Sequence, residues 1–310
     1  MPADRFASVA REVREAAATA VWIQWRALGG EGAAPREPAA IVDPEALVLA
    51  SLWMKDEEKR LWDFLYGLAE GGSRLLSVQR LKRLLSVFPQ SLGPEVARFA
   101  SAVRHAGNDP RWRGFPRAQA PAAGRPGKWR SPRTRLASGG ALMLRLRTAF
   151  GVDVRSDTLA CLIGRREAWS TVRDIARSLG YARGSVRAAC ESLTDARLLE
   201  SAADGRPARY YAPARWRALL GLEEAPAWQP WSAVYAFAIR ALEWLRDERT
   251  SSMSAYLASS LGRELVRNHG GVLKELQLDT PDHRDRVAEA YLPAFEETLG
   301  ALARWLRGST

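Results

Sequence analysis

The 310-residue chain has only two cysteines, Cys161 and Cys190, and three histidines, His105, His269 and His283. The cysteines show no CxxC or other metal-ligand spacing, and their apolar neighbours mark them as reduced core residues. His105 and His269 stand beside glycines at expected helix ends, and His283 follows Pro281-Asp282 at an expected helix start. The sequence contains no HExxH, no glycine-lysine phosphate loop and no GxSxG. Asp56-Glu57-Glu58 reads as a carboxylate run opening a helix rather than as a ligand set. The expectation is therefore a protein that is not an enzyme, with no catalytic residues, no metal and no cofactor. Long apolar runs are missing too. The stretch Ala46–Met54 falls well short of the ~20 residues that cross a bilayer. The opening Met1-Pro2-Ala3-Asp4-Arg5 lacks the basic-then-apolar pattern of a secretory signal. These absences lead to the expectation of a cytoplasmic protein without membrane contact.

Acidic residues are nearly missing from one stretch. Residues 105–150 hold ten Lys/Arg against the single acid Asp109, within a chain whose net charge is +11. Residues 1–104 are close to balanced, and residues 223–310 are net acidic. Positive charge gathered in the middle suits a polyanion, because each phosphate neutralised releases condensed counterions. An arginine-rich solvated linker has the same composition, so charge alone does not separate the two.

Helical periodicity fills the first third, residues 1–105. Val9, Ala10, Val13, Ala17, Ala20 and Val21 recur at three/four spacing. Asp43-Pro44 is a start signal, a carboxylate cap before a proline at the first helical position. A helix over 57–70 should stop at Gly71-Gly72, one capped by Ser77 should end at Pro89, and another should open at Pro94. Residues 106–140 interrupt this pattern with prolines and glycines, which exclude a continuous helix or a central strand. They form a basic linker or arm, with Trp112, Phe115 and Trp129 among the arginines, and Arg125, Lys128, Arg130 and Arg133 are its candidate backbone-contacting residues. The alternative is a strap, with the tryptophans buried and the arginines paired. Residues 223–310 should form further helices over 231–247, 251–267 and 284–307, the last kinked or split at Pro293.

The stretch 141–222 carries the most specific pattern. Leu159, Leu162 and Ile163 give one helix a buried face, and Thr171-Val-Arg-Asp174 fits a capping box opening a second. Gly180 supplies a tight turn, and a third helix over 183–196 turns Val186, Ala189, Cys190 and Leu193 inward. Residues 198–201 and 208–211 flank an Ala-Ala-Asp-Gly-Arg tip, the pattern of a hairpin. The fold class expected is mainly α: a winged helix-turn-helix domain of three helices plus a two-stranded wing, flanked by N- and C-terminal helical domains.

Thr171-Val-Arg-Asp-Ile-Ala-Arg-Ser-Leu-Gly180, Ser185-Val-Arg187, Leu193 to Leu199 and Gly205-Arg-Pro-Ala-Arg-Tyr210 together resemble bacterial winged-helix transcriptional regulators of the MarR and ArsR type. The resemblance covers about a quarter of the chain. It departs at Ala182, where such proteins often carry a Ser or Thr cap, and at Ala196-Arg197, where a glycine commonly precedes the first wing strand. The resemblance implies that the third helix reads double-stranded DNA in the major groove through Arg183, Gly184, Ser185 and Arg187. Arg206 and Arg209 on the wing, and Thr171, Arg173 and Arg177 on the second helix, are candidate DNA-binding residues toward phosphate or the minor groove. It also implies a homodimer on a palindromic site. The C-terminal helices, amphipathic and not basic, are the expected dimer contact, through Val234, Tyr235, Leu242, Trp244 and Leu245. A small-molecule effector or a protein partner could act through a helical flank. A second reading is an antitoxin-like protein-interaction module that uses its winged helix for partner binding and autoregulation.

Overall fold

The computed structural model describes residues 2–30, 39–119, 136–202, 207–247, 254–281 and 288–308. Asp43 starts the helix around which much of the chain packs. Its side chain accepts from the Ala46 amide at 3.1 Å, Pro44 fills the first turn, and α2 (Pro44–Met54) follows. Nearly every residue of α2 is buried, as its largely apolar sequence, broken only by Glu45 and Ser51, requires of a helix surrounded on all sides. Around it lie α1 (Pro2–Ala27), α3 (Arg60–Gly67), α4 (Val78–Leu85) and α5 (Gly93–Ala106). The α3 pattern continues as a π turn over Leu68–Gly72 rather than as α-helix to residue 70. Ser77 caps α4, accepting from the Arg80 amide at 3.2 Å.

After residue 222 the chain returns to this same body. Helix α11 (Trp231–Arg246), reached below through a second group of elements, packs on α1 and α2. Helices α12 (Ala255–His269), α13 (Gly271–Glu275) and α14 (Ala288–Gly308) follow, and α14 lies along α1. Phe6, Val13, Ala17 and Val21 share one apolar core with Val234, Tyr235, Phe237, Leu242, Phe295 and Leu302. The stretches 1–105 and 223–310, expected as separate helical domains, thus both contribute to this core. The two halves of the apolar surface are complementary and cover each other, which neither stripe could do alone. Val234, Tyr235 and Leu242 are fully buried inside the chain, and Leu245 is nearly so. Of the residues expected at a dimer contact, these four are covered within the chain and Trp244 is partly buried. Pro293 lies inside α14 without ending it.

The second group holds α6 (Leu142–Phe150), α7 (Val154–Gly164), α8 (Val172–Leu179), α9 (Arg183–Asp195) and α10 (Arg215–Leu219). A three-stranded antiparallel sheet joins them, with β1 (Ser170–Thr171), β2 (Glu200–Ala202) and β3 (Arg209–Tyr211) in the order β1-β3-β2. Ser170 pairs with Tyr210 and Thr171 with Arg209, while Ser201 and Ala202 take the other edge of the same two residues. Leu159, Leu162, Ile175, Leu179, Val186, Cys190, Leu193 and Tyr210 form its core. Both cysteines lie there, and burial pushes their thiols up to about 11 for Cys161 and about 12 for Cys190. The protein is thus mainly helical with one small sheet. None of its described helices is long and apolar enough to cross a membrane.

The basic stretch begins as a strap rather than an arm. Residues Pro110–Gly114 form a 3₁₀ turn, and Trp112 is fully buried between Phe99 and Phe115. Arg111 pairs with Asp109 at 2.6 Å and donates to the Ser73 carbonyl at 2.9 Å, so its charge is already neutralised. Prolines forbid a helix here, but an aromatic side chain still finds the core. Arg125, Lys128, Arg130, Arg133 and Trp129 lie outside the described residues, as do Arg206 and His283. Asp56, Glu57 and Glu58 follow α2 in a turn, where Glu57 pairs with Arg14 and Arg246 instead of opening a helix.

Candidate nucleic-acid interface

The capping box at Thr171 forms as its sequence requires. Thr171 Oγ1 accepts from the Asp174 amide at 3.2 Å, and Asp174 Oδ2 accepts from the Thr171 hydroxyl at 2.6 Å. The Thr171 hydroxyl holds the Asp174 carboxyl below the usual carboxylate range. Helix α8 then ends at Gly180, whose φ of +72° is left-handed. A Cβ there would also come within 2.7 Å of Leu84 Cδ2, so both backbone and space demand glycine.

Helix α9 begins three residues later with no side-chain cap at Ala182. Its first amides therefore lack a side-chain acceptor and present the positive end of a 13-residue helix. Arg183, Gly184, Ser185 and Arg187 are all exposed on this end, while Val186 and Cys190 face the core. A Cβ at Gly184 would meet nothing within 4 Å, so no packing explains its small size. At the far end of α9, Arg197 takes the left-handed position usually filled by glycine, with φ +57°. Its carbonyl accepts from the Arg215 guanidinium, and Trp216 Nε1 holds the next carbonyl, that of Leu198, at 2.9 Å. Two contacts from α10 thus hold a conformation that arginine does not favour.

A cleft of about 730 Å³ runs between α8, α9 and the foot of the hairpin. Thr171, Arg173, Arg183 and Arg187 line it together with Pro207, Ala208 and Tyr210. Two acids also line it, Asp174 and Glu191. Asp174 is engaged by the capping box. Arg173, Arg183 and Arg187 make no ion pair or hydrogen bond among the described residues. The structure therefore gathers the side chains of three exposed arginines on one concave face. It does not bring all the expected residues there. Arg177 is exposed on α8 outside the cleft, and strand alternation puts Arg209 on the sheet face of Tyr211, opposite Tyr210. Tyr211 in turn contacts the half-exposed ring of Trp169 at 4.5 Å.

Beneath the α8–α9 turn lies a buried charge cluster that reading along the sequence misses. Arg80 of α4 donates to Asp43 Oδ1 and Oδ2 at 2.6 Å each, to Glu45 Oε2 at 2.5 Å and to the Leu179 carbonyl at 2.7 Å. Arg147 of α6 grips Glu45 at 2.6 and 3.0 Å, and Asp157 of α7 at 2.7 Å through both Nε and its second terminal nitrogen. The Tyr181 hydroxyl donates to Asp157 Oδ2 at 2.8 Å. Burial pushes the Glu45 carboxyl up, but Arg147, Arg80 and the Ser77 amide together outweigh it and hold it at about 2. Burial lowers the Arg80 guanidinium and Asp43 raises it, with a net upward shift. Asp43 was legible as a helix cap, but the rest of the set was not. A signal was present: Glu45, Arg80 and Arg147 are each a charge inside an otherwise apolar helical stripe.

Comparison of the chain with protein-family models, with curated proteins and with solved structures found no match in any of the three.

Proposed function

We propose that residues 142–222 form a winged helix-turn-helix head that binds double-stranded DNA in a sequence-specific manner, and that the protein is a transcriptional regulator rather than an enzyme. One observation carries the reading: the exposed Arg173, Arg183 and Arg187 line a single cleft and make no ion pair or hydrogen bond among the described residues, beside a helix start that has no side-chain cap. By contrast, Arg80, Arg111 and Arg147, which hold the fold together, are paired with carboxylates. In this reading α9 enters the major groove, where arginine pairs bidentately with guanine O6 and N7. Thr171 is chiefly a cap, and Arg173 takes phosphate at the groove edge. The hairpin of β2 and β3 is the wing, with Arg209 on its outer face.

The decisive experiment is selection of bound sequences from a random duplex library by the full chain. Specific protein–DNA recognition exceeds non-specific binding by about 10³-fold or more at physiological salt. An enriched motif with that preference is the expected result. A palindromic motif further indicates two copies on one site, and a single half-site indicates one. Library members bound without enrichment would overturn sequence-specific reading. Stoichiometric capture of one protein through the exposed Trp169 and Leu219, with no DNA motif, would favour the interaction module instead.

A further inference from the structure

The hydrogen bonds under the α8–α9 turn form a closed circuit that begins and ends in that turn. From the Leu179 carbonyl the path runs to Arg80, from Arg80 to Glu45, and from Glu45 to Arg147. It continues from Arg147 to Asp157 and returns through the Tyr181 hydroxyl. Leu179 and Tyr181 flank Gly180, the one left-handed residue between α8 and α9. Every side chain on the path is buried, and Leu84 closes the remaining space against Gly180. Two links, Arg80 and Glu45, belong to the helical body, whereas Arg147, Asp157 and Tyr181 belong to the smaller group that contains α9.

We infer that this circuit sets the direction of α9, and that Arg80 and Tyr181 are positioning residues through which the helical body controls sequence discrimination. The inference rests on the DNA-reading role proposed for α9. Apolar packing would hold two bodies together as firmly, because ion pairs taken out of water gain little over hydrophobic residues of the same volume. What directional bonds add is a defined angle. The turn is held on both sides, and the first reading residue, Arg183, follows Tyr181 by two positions. A bidentate arginine–guanine pair depends on that angle, whereas a phosphate contact tolerates displacement. Loosening the circuit should therefore weaken specific binding more than non-specific binding. A purely structural role would lower both together.

The test uses the full chain carrying Tyr181→Phe, which keeps the ring and removes only the hydroxyl, and separately Arg80→Lys, which keeps a cation beside Asp43 and Glu45. Hydrogen exchange is followed without DNA at the amides of Gly180, Tyr181 and Val186, now bonded to Ala176, Ala176 and Ala182. Binding to the selected operator and to random duplex is measured in parallel. Loss of one buried hydrogen bond predicts exchange at these amides faster by roughly three- to tenfold, with the operator-to-random ratio falling by a similar factor. Unchanged exchange in both variants overturns the inference whatever the DNA does. Faster exchange across the whole chain, with both affinities reduced equally, also overturns it. Faster exchange confined to the turn in a chain that selects no operator supports the positioning of α9 and instead removes the DNA-reading role.

Discussion

Arg147 holds Glu45 with two nitrogens, at 2.6 and 3.0 Å, and neither side chain has any measurable exposure. The two lie more than a hundred residues apart and join α2 to α6. Such a pair contributes to stability only while Glu45 is ionised. The carboxyl is held at about 2 in the folded chain, below the ordinary glutamate value of 4.5. The contribution is fully present above about pH 4.5 and is lost as the pH falls from there toward 2. Urea midpoints measured from pH 7 to pH 3 should decline over the lower part of that range. Glu45→Gln should be less stable at pH 7 and show a flatter acid decline. An equal slope in the variant would mean that other carboxylates govern acid unfolding.

The shared core of the two ends makes a second expectation. Phe6, Val13 and Val21 are covered partly by α11 and α14, so a chain ending at Leu222 exposes them. It should lose its cooperative thermal transition and bind a hydrophobic dye, rather than behave as a folded monomer. A sharp transition at an unchanged midpoint would show that α1–α5 hold together without their C-terminal cover.

The parts of this fold that were legible in sequence are those specified by neighbours a few positions apart. The capping box of Thr171 and Asp174, the caps at Asp43 and Ser77, and the turn at Gly180 are all local chemistry. The cleft arginines follow from the same logic, since Arg183 and Arg187 share one helix face. Long-range pairing leaves no periodic trace. The contact of α1 with α14 joins opposite ends of the chain, and an amphipathic stripe does not say which other stripe will cover it. Arg80 shows the same difficulty at the level of a single residue. It lies one turn before Leu84 on α4, where an arginine ordinarily reads as a solvated position. Only the placement of Asp43, Glu45 and the Leu179 carbonyl explains its burial.

The cleft makes a prediction for individual arginines. Arg187→Ala should weaken operator binding by about 1–3 kcal/mol, and Arg183→Ala should act similarly, the usual size for one base-reading arginine. Arg209→Ala should weaken operator and random duplex by nearly the same small factor, because its strand register turns it away from the cleft. Fluorescence anisotropy on both duplexes measures the two effects. Equal losses for Arg187→Ala on operator and random DNA would make Arg187 a phosphate contact.

Within the basic stretch after α5, Arg111 beside Trp112 and the cations from Arg125 to Arg133 should respond differently to neutralisation. Arg111 lies against Asp109, and Arg104, still within α5, donates to the Trp112 carbonyl at 2.9 Å, whereas Arg113 and Arg117 are exposed. Trp112 itself is fully buried, so Trp112→Ala should cost about 3–5 kcal/mol of stability, the usual range for removing a core aromatic. Arg111→Ala should lower the melting temperature and leave the salt dependence of DNA binding unchanged. Arg125, Lys128, Arg130 and Arg133 are the remaining cations of the stretch for which a backbone role was expected. If they lie along phosphates, replacing all four by alanine should weaken every sequence nearly equally. It should also reduce the slope of log affinity against log salt by about one unit for each lost contact. Stability should be unaffected, since groups that meet only DNA do not support the free protein. An unchanged slope with a lowered melting temperature would extend the strap of Trp112 through these residues and leave the cleft arginines as the principal cationic contacts.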